Sequence, residues 1–286
     1  MIMLQNTMEP IIREIIWHKK LEITQIQQEM SLASLQRQLT AAPSVRDFFT
    51  ALQQNIYKPS LIAEVKRIFS DENMLSSDFD ALSIAKSYER TGAACISVVT
   101  DQKFFHGGFD QLRIVRHKVT LPILCKDFIL DPCQIYLARA AGADAILLIA
   151  AILTDQQINN FLRVIHYLGM NAVIEVHNLM ELDRVLRLED VRIIAINNRR
   201  LEDLTININT TLELMAVRKS HLHNLGILVV SESGIETSED LSLMANVGVN
   251  GVLVGDCLLR EENLEDAVKE LLKSQVYGFG SPSYKS

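Results

Sequence analysis

The sequence predicts an α/β protein, a (β/α)8 TIM barrel with an N-terminal helical extension. Eight short apolar runs recur along the chain, and helical patterns separate them. Apolar runs that lack polar alternation are typical of parallel strands buried on both faces. Several helical patterns end at a single glycine, the usual left-handed stop before the next strand. Eight such strand–helix units close naturally into a barrel.

The predicted elements follow this repeat in chain order. Helical patterns at 10–29 and 45–52 precede the first strand. The apolar runs that predict the strands are 61–65, 94–98, 121–125, 145–149, 172–176, 193–196, 227–230 and 251–254. The helical patterns that stop at a glycine are 84–91, 132–141, 155–168 and 239–247, followed by Gly92, Gly142, Gly169 and Gly248.

These elements predict one domain overall. We expect residues 1–60 to form a helical extension packed on the barrel, residues 61–275 to form the barrel, and residues 276–286 to form a tail. Trp17, on the first helical pattern, is expected to be a packing residue. A doubly wound open sheet also alternates strands with helices, but no GxGxxG follows the first strand. The pattern therefore favours the barrel.

Composition excludes several classes of protein. The chain carries 28 Lys and Arg against 35 Asp and Glu, and this acidic balance argues against nucleic acid as the main partner. The four cysteines form no CxxC pair, so we expect buried free thiols and no metal site. The longest apolar run, 145–153, is too short to span a membrane, and the charged N-terminal segment does not resemble a signal peptide. A cytoplasmic protein of undetermined oligomeric state is expected.

Polar residues collect where the predicted strands end. Because barrel enzymes place their chemistry at the carboxyl ends of the strands, these residues are the candidate site. Glu64 and Lys66 are two residues apart and should share the inward face of the first strand. Ammonium and carboxylate groups at one mouth shift each other's pKa values and can serve as acid and base. A structural ion-pair network at the rim is the alternative interpretation.

Long motifs surround these strand ends. They are IAEVK at 62–66, SVVTDQKFFHGGF at 97–109, LCKDFILDPCQIYLARAAGADAILLIAA at 124–151, EVH at 175–177, INNRRLED at 196–203 and VVSESGI at 229–235. Together they resemble the indole-3-glycerol phosphate synthase family, and the resemblance runs from about residue 10 to residue 272. The segments IIWHKKLEI and ILTDQQI are most similar to cyanobacterial members.

The resemblance implies an activity and a set of site residues. The family closes an indole ring on a phosphorylated anilino-ketose, with loss of carbon dioxide and water and without a cofactor. By position, Lys126 resembles the general acid and Glu175 the acid/base of the later steps, while Glu64 and Asn197 orient or stabilise charged intermediates. The further positions that the resemblance implies at the substrate are Lys66, Arg199, Glu232, Ser233, Gly234 and Gly255.

One segment departs from the family pattern. After the first strand the family carries Ala-Ser-Pro-Ser-Lys-Gly, which helps to bind the phosphate. Here Phe69 replaces the first serine, Ser70 the proline, Asp71 the second serine and Glu72 the lysine. At about 6 Å and an effective dielectric near 20, each carboxylate would oppose a phosphate charge by roughly 3 kcal/mol. Phe69 instead offers an apolar or stacking surface for an aromatic ring.

This departure favours a phosphate-free substrate. The sequence resembles the branch of the family that acts in cyanobacterial scytonemin biosynthesis, which implies a β-keto acid carrying an indole and a phenol. The alternative is authentic indole-3-glycerol phosphate synthase of tryptophan biosynthesis, with its phosphate held by the seventh and eighth strands alone. A catalytically silent binding barrel is disfavoured, because it need not keep costly carboxylates in its mouth.

Overall fold

Eight parallel strands close into one barrel in chain order, and the last strand pairs with the first. The computed structural model describes residues 9–67 and 79–276. The strands are β1 (Ser60–Val65), β2 (Cys95–Val99), β3 (Ile123–Lys126), β4 (Ala145–Ile149), β5 (Asn171–Val176), β6 (Ile193–Asn197), β7 (Leu228–Glu232) and β8 (Gly251–Val254). The predicted (β/α)8 barrel is confirmed, and every predicted strand overlaps the observed one.

Helices surround the barrel and precede it. Those of the N-terminal extension are α1 (Pro10–Glu29), α2 (Leu32–Gln38) and α3 (Phe48–Gln54). Those that follow the strands are α4 (Ala81–Arg90), α5 (Phe109–Lys118), α6 (Pro132–Ala141), α7 (Asp155–Tyr167), α8 (Leu179–Val185), α9 (Asn209–Asn224), α10 (Ser238–Val247), α11 (Asp256–Leu259) and α12 (Leu264–Val276). None of the helices in these two described stretches is both long enough and apolar enough to cross a membrane.

Local sequence signals set the helix starts. Asp131 caps α6 and Thr154 caps α7, and in each case a glutamine three residues later completes a capping box. Asp47 accepts a hydrogen bond from the Thr50 N–H and caps α3. The helix therefore begins at Phe48, three residues after the start of the predicted 45–52 pattern. Side-chain caps therefore decide these boundaries more sharply than apolar periodicity does.

The two helical segments of the extension close opposite ends of the barrel. The Phe48 and Phe49 N–H groups of α3 bond the Asn171 side chain at the amino end of β5, and Phe48 is fully buried. At the other end, the Glu9 N–H donates to the Leu201 carbonyl in the segment after β6. One face of α1 is buried, while Trp17 is 59% exposed, so the expectation that Trp17 packs is wrong.

All four cysteines are free, as expected. Cys95, Cys125 and Cys133 are buried and Cys257 is partly buried. Burial raises the pKa of the Cys125 thiol to about 12, which keeps it protonated and unreactive.

Candidate active site

The carboxyl ends of the strands bring the predicted charged residues together in one mouth. Lys126, the last residue of β3, lies with its Nζ 3.2 Å from Glu64 Oε2 and 3.2 Å from Glu232 Oε2. Glu64 belongs to β1 and Glu232 ends β7, so three strands contribute to this contact. Inward-facing positions of a barrel converge at its axis, which explains why residues so distant in the chain meet.

Lys66 forms the second cation of the mouth. Its Nζ lies 2.8 Å from Glu64 Oε1 and 2.9 Å from Asp256 Oδ1. Asp256 follows Gly255, and a side chain at Gly255 would place its Cβ only 2.9 Å from the Cβ of Glu64. The glycine is therefore needed for β8 to pass close to Glu64.

Neighbouring charges determine the protonation states of Glu64 and Lys126. Burial alone would raise the pKa of Glu64, but Lys126 and Lys66 outweigh it and lower that pKa to about 2. Burial alone would lower the pKa of Lys126, but Glu232, Glu64 and Glu175 raise it well above its ordinary value. Lys126 is therefore an ammonium and Glu64 a carboxylate at neutral pH.

Glu175 and Glu232 form a pair with opposite pKa shifts. Burial raises the pKa of Glu232, and the nearby Glu175 and Glu64 carboxylates add to this rise against the opposing effect of Lys126. Burial also acts to raise the pKa of Glu175, but His177 and Lys126 outweigh it and lower that pKa. Two buried carboxyl groups with separated pKa values are a usual arrangement for an acid and a base.

Asn197 connects this pair to the end of β7. Its Nδ2 donates to Glu175 Oε1 at 3.2 Å, and its Oδ1 accepts from Ser233 Oγ at 2.9 Å. Gly234 has a φ of +76°, and an added Cβ would lie 2.6 Å from Ile206, so only glycine fits without a shift. The structure thus places Asn197, Ser233 and Gly234 at the predicted mouth.

One predicted site residue, Arg199, stands apart from this cluster, and another, Phe69, belongs to a segment that the structure does not describe. Arg199 donates to the Leu204 carbonyl at 3.4 Å and, within residues 9–67 and 79–276, forms no ion pair. Its guanidinium is therefore not part of the ion-pair network with Lys126. Phe69, together with the substitutions at Ser70, Asp71 and Glu72, lies outside the described residues.

Aromatic side chains form an apolar side of the mouth. The rings of Phe105, after β2, and Phe128, after β3, are stacked with their centroids 6.4 Å apart. Partly buried Phe104, Phe128 and Leu201 pack against the core inside the barrel. A charged cluster beside an aromatic surface suits a substrate that combines an aromatic ring with a polar, reactive group.

Sequence reasoning left two buried site groups without a role. His177 lies two residues after Glu175, on the same face of the strand end, and its Nε2 is 3.0 Å from Glu175 Oε1. That spacing was the signal available in the sequence. Lys19 of α1 is 3% exposed, and its Nζ lies 2.9 Å from Asp101 Oδ2 and 2.9 Å from Asp127 Oδ1. In the sequence, the position of this lysine on the apolar face of a helix was the feature that could have indicated a buried ion pair.

The described stretches of the chain hold no group of three His, Cys, Asp or Glu side chains arranged to bind a metal ion. The titratable groups of the described mouth include two ammonium groups, carboxyl groups and an imidazole. These groups transfer protons and stabilise charge.

Comparison with solved structures agrees with the fold. The barrel superposes on 3-hexulose-6-phosphate synthase from Salmonella typhimurium with a TM-score of 0.61 at 16% identity, covering 76% of this chain and 98% of that chain. It superposes on N-acetylmannosamine-6-phosphate 2-epimerase from Clostridium perfringens with a TM-score of 0.55 at 17% identity, covering 75% and 92%. At such identities the likeness concerns the fold alone.

Sequence comparison is more specific. The family model described as indole-3-glycerol phosphate synthase matches residues 12–271. The chain is 48% identical to indole-3-glycerol phosphate synthase of Trichodesmium erythraeum (strain IMS101) over 91% of this chain and 88% of the relative. It is 46% identical to the synthase of Rippkaea orientalis (strain PCC 8801 / RF-1) over 91% and 89%. The chain therefore belongs to the indole-3-glycerol phosphate synthase family and is an enzyme of that type, a decarboxylating cyclase of the carbon–carbon lyase class.

Proposed function

We propose that this enzyme closes a ring by attack of an aromatic carbon on a ketone, with Lys126 as the acid and Glu175 as the base. The observation that carries the proposal is the Lys126 ammonium held 3.2 Å from both Glu64 and Glu232 at the mouth, with Glu175 beside them. A fixed cation polarises a carbonyl, and neighbouring carboxyl groups accept and return protons.

The first step forms the carbon–carbon bond. The aromatic carbon supplies an electron pair to the ketone carbon, and the carbonyl π electrons move to the oxygen. That oxygen takes a proton from Lys126 and becomes a hydroxyl. The attack leaves a positive charge on the aromatic system, which the Glu64 carboxylate stabilises across the mouth.

The later steps release carbon dioxide and water. In the anilino-ketose the carboxylate is bonded to the attacking aromatic carbon, so the electron pair of that bond stays on the ring and neutralises the positive charge as carbon dioxide leaves. The hydroxyl then takes a proton from Glu232 and leaves as water, while Glu175 removes a proton from the neighbouring carbon. The proton that Glu175 took then passes to Glu232, and one proton from solvent restores Lys126, so the whole reaction takes up one proton.

The first candidate substrate is the phosphorylated anilino-ketose of indole-3-glycerol phosphate synthase, as in tryptophan biosynthesis. Curated relatives of that name are 40–48% identical to this chain. Ser233, Gly234 and Gly255 lie at the carboxyl ends of β7 and β8, where backbone N–H groups are available to a phosphate. This candidate requires no change in the chemistry of the family.

A second candidate substrate is favoured by the contact between Lys66 and Asp256. Lys66 lies 2.8 Å from Glu64 and 2.9 Å from Asp256, so two carboxylates already neutralise the cation next to Gly255. A phosphate there would meet the negative charge of Asp256. The contact therefore favours a phosphate-free substrate, and the one we propose is the β-keto acid carrying an indole and a phenol of scytonemin biosynthesis.

A paired turnover assay on the purified protein tests both candidates. One reaction contains the phosphorylated anilino-ketose and the other the indole–phenol β-keto acid, and both are followed by carbon dioxide release and product mass. Turnover of the first alone establishes the synthase activity, and turnover of the second alone establishes the phosphate-free cyclase. Lys126→Met is the inactive control, and turnover of neither substrate by the wild type overturns the proposal.

Inhibition by inorganic phosphate further distinguishes the two candidate substrates. Competitive inhibition by phosphate is expected for the phosphorylated substrate, because phosphate would occupy the same subsite. Turnover that inorganic phosphate does not inhibit supports the phosphate-free substrate.

A further inference from the structure

The buried side chain of His177 forms an ion pair with Glu175. His177 Nε2 lies 3.0 Å from Glu175 Oε1, and His177 Nδ1 lies 3.2 Å from Glu181 Oε2. His177 is 8% exposed, and the Glu175 side chain is more deeply buried still. The three side chains form a line that begins at the mouth and ends on α8.

Local structure holds this line rigidly. Glu181 lies in the first turn of α8, and its Oε2 also accepts the His177 backbone N–H at 2.9 Å. Its Oε1 accepts from Asn178 Nδ2 at 2.7 Å, while Asn178 caps the helix by accepting the Glu181 N–H. The five residues from 177 to 181 therefore fix the orientation of the imidazole ring by themselves.

The charges around the ring make it a cation. Glu175 and Glu181 are the charged groups that act on His177, one at each ring nitrogen. Burial alone would lower the pKa of His177, but the two carboxylates raise it to about 10. Both ring nitrogens then carry protons: Nδ1 donates to Glu181 Oε2, and the Nε2 side of the cation faces Glu175 Oε1 as an ion pair at 3.0 Å.

The His177 cation makes the pKa values of Glu175 and Glu232 differ, because it contacts Glu175. The groups that act on Glu175 are His177, Glu232 and Lys126, together with the neutral Asn197 amide. Lys126 acts on both carboxyl groups, whereas His177 contacts Glu175. A proton shared between the two carboxyl groups is therefore driven toward Glu232.

We propose that His177, oriented by Glu181, is the positioning residue that keeps Glu175 ionised as the base and leaves the shared proton on Glu232 as the acid. This inference rests on the proposed function and deepens it, because it divides the two carboxyl groups between the two proton transfers of the dehydration step. His177 itself neither gains nor loses a proton during turnover.

Kinetic pH profiles test this division of roles. In the wild type, Glu175 stays ionised throughout the acid range. In His177→Gln, the opposing imidazolium is gone and burial raises the pKa of Glu175, so the acid limb of kcat/KM moves to higher pH. We expect a loss of roughly tenfold or more at pH 5.5 and of less than about twofold at pH 8, because one pKa unit changes the ionised fraction tenfold below the pKa and hardly at all well above it. An equal loss at all pH values overturns the proposal.

A matched pair of variants controls for simple destabilisation. Glu181→Gln removes the outer charge while keeping an acceptor, and it should shift the acid limb in the same direction by a smaller amount. Asp183→Asn lies two residues further along α8 and removes its surface ion pair with Arg218. Asp183→Asn should leave the profile unchanged, and a shift equal to that of Glu181→Gln would overturn the proposal.

A spectroscopic measurement tests the inference independently of any substrate. The ring nitrogens of His177, assigned by their loss in His177→Gln, should show an imidazolium at pH 8 by ¹⁵N NMR. Carboxyl ¹³C shifts of labelled glutamates should show Glu175 ionised and Glu232 protonated at pH 7. A neutral ring, or the reverse placement of the carboxyl proton, overturns the inference. Failure of both substrates with these signals present would instead count against the proposed function.

Discussion

Two buried charge clusters lie at opposite ends of the barrel, and they differ in the side chains that build them. The floor cluster lies at the amino ends of the strands and consists of Arg46, Arg116, Arg139 and Asp144. The mouth cluster lies at the carboxyl ends and consists of Glu64, Lys66, Lys126, Glu175, His177 and Glu232.

The floor cluster is built from charges that do not change. Asp144 accepts from the Arg46 N–H, from the Ile123 N–H and from Arg116 Nη1 at 2.7–2.8 Å. The Arg46 guanidinium also donates to the Leu121 carbonyl, and Arg139 donates to the Pro43 carbonyl. Burial lowers the pKa of the arginines, yet arginine keeps its proton in proteins. This cluster therefore ties the segment before α3 to the barrel and performs no proton chemistry.

The mouth cluster is built from lysine, glutamate and histidine, which exchange protons. The pKa values of this cluster are shifted in both directions: the pKa of Glu64 is strongly lowered and the pKa of Lys126 is strongly raised. The comparison teaches that burial and ion pairing do not distinguish a catalytic cluster from a structural one. The type of charge and the end of the barrel do.

The sharpest way to test this comparison is to remove the central cation of the mouth. Lys126→Met should reduce kcat by about a thousandfold, because the general acid that we propose for the first step is lost. The variant should remain folded, since Glu64 keeps its ion pair with Lys66 and a protonated Glu232 needs no cation. Steady-state turnover with circular dichroism as the folding control measures this, and retention of a tenth of the activity would contradict it.

The matched change in the floor cluster should have the opposite outcome. Arg116→Met leaves Asp144 buried without one of its partners, so the free energy of unfolding should fall by about 3 kcal/mol. The kcat/KM of the folded protein should stay within about twofold of the wild type. Urea denaturation and turnover measure the two effects. Loss of activity at unchanged stability would show that the floor cluster has a functional role.

The mouth also predicts how stability depends on pH. The folded-state pKa of His177 is raised to about 10, so its stabilising contribution is full below the unfolded pKa of 6.5 and is lost as pH rises through 10. The raised pKa of Glu232 acts with the same sign. Between pH 7 and 8.5 His177 alone should lower the free energy of unfolding by about 2 kcal/mol, since one proton corresponds to about 1.4 kcal/mol per pH unit. Urea midpoints measure this, and His177→Gln should flatten the dependence.

The smallest expected effect concerns the contact between Lys66 and Asp256. Asp256→Ser frees Lys66 from one carboxylate, and inorganic phosphate should then bind about fivefold more tightly. The corresponding free energy is about 1 kcal/mol, because Asp256 is half exposed and solvent screens its charge. Isothermal titration with phosphate measures it, with Asp266→Asn on α12 as the surface control. Unchanged affinity would show that Asp256 does not oppose phosphate.

Much of the fold was predictable because its signals are local. The strand β4, predicted at 145–149, begins and ends at the predicted residues. Helix α6, predicted at 132–141, likewise matches, since Asp131 begins it and Gly142 ends it in a left-handed conformation. The start of helix α3 was placed three residues too early, because the apolar pattern begins at residue 45, before the Asp47 cap.

The site was predictable to the extent that strand ends define it. Alternation along β1 placed Glu64 and Lys66 on one face, and the structure joins them at 2.8 Å. Arg199 shared the same type of position, yet its side chain turns to the Leu204 carbonyl in the segment after β6. Strand position determines where a side chain begins, whereas the surrounding segment determines where its charged end lies.

The sequence by itself determined the barrel, the order of its elements and the charged residues at its mouth, because periodicity, caps and strand ends are properties of short segments. Only the tertiary structure decided how those charges interact. It placed His177 between Glu175 and Glu181, set Asp256 against Lys66, and buried Lys19 between Asp101 and Asp127. The free energy of a charge depends on its distance to other charges and on its burial, and these exist only once the barrel has closed.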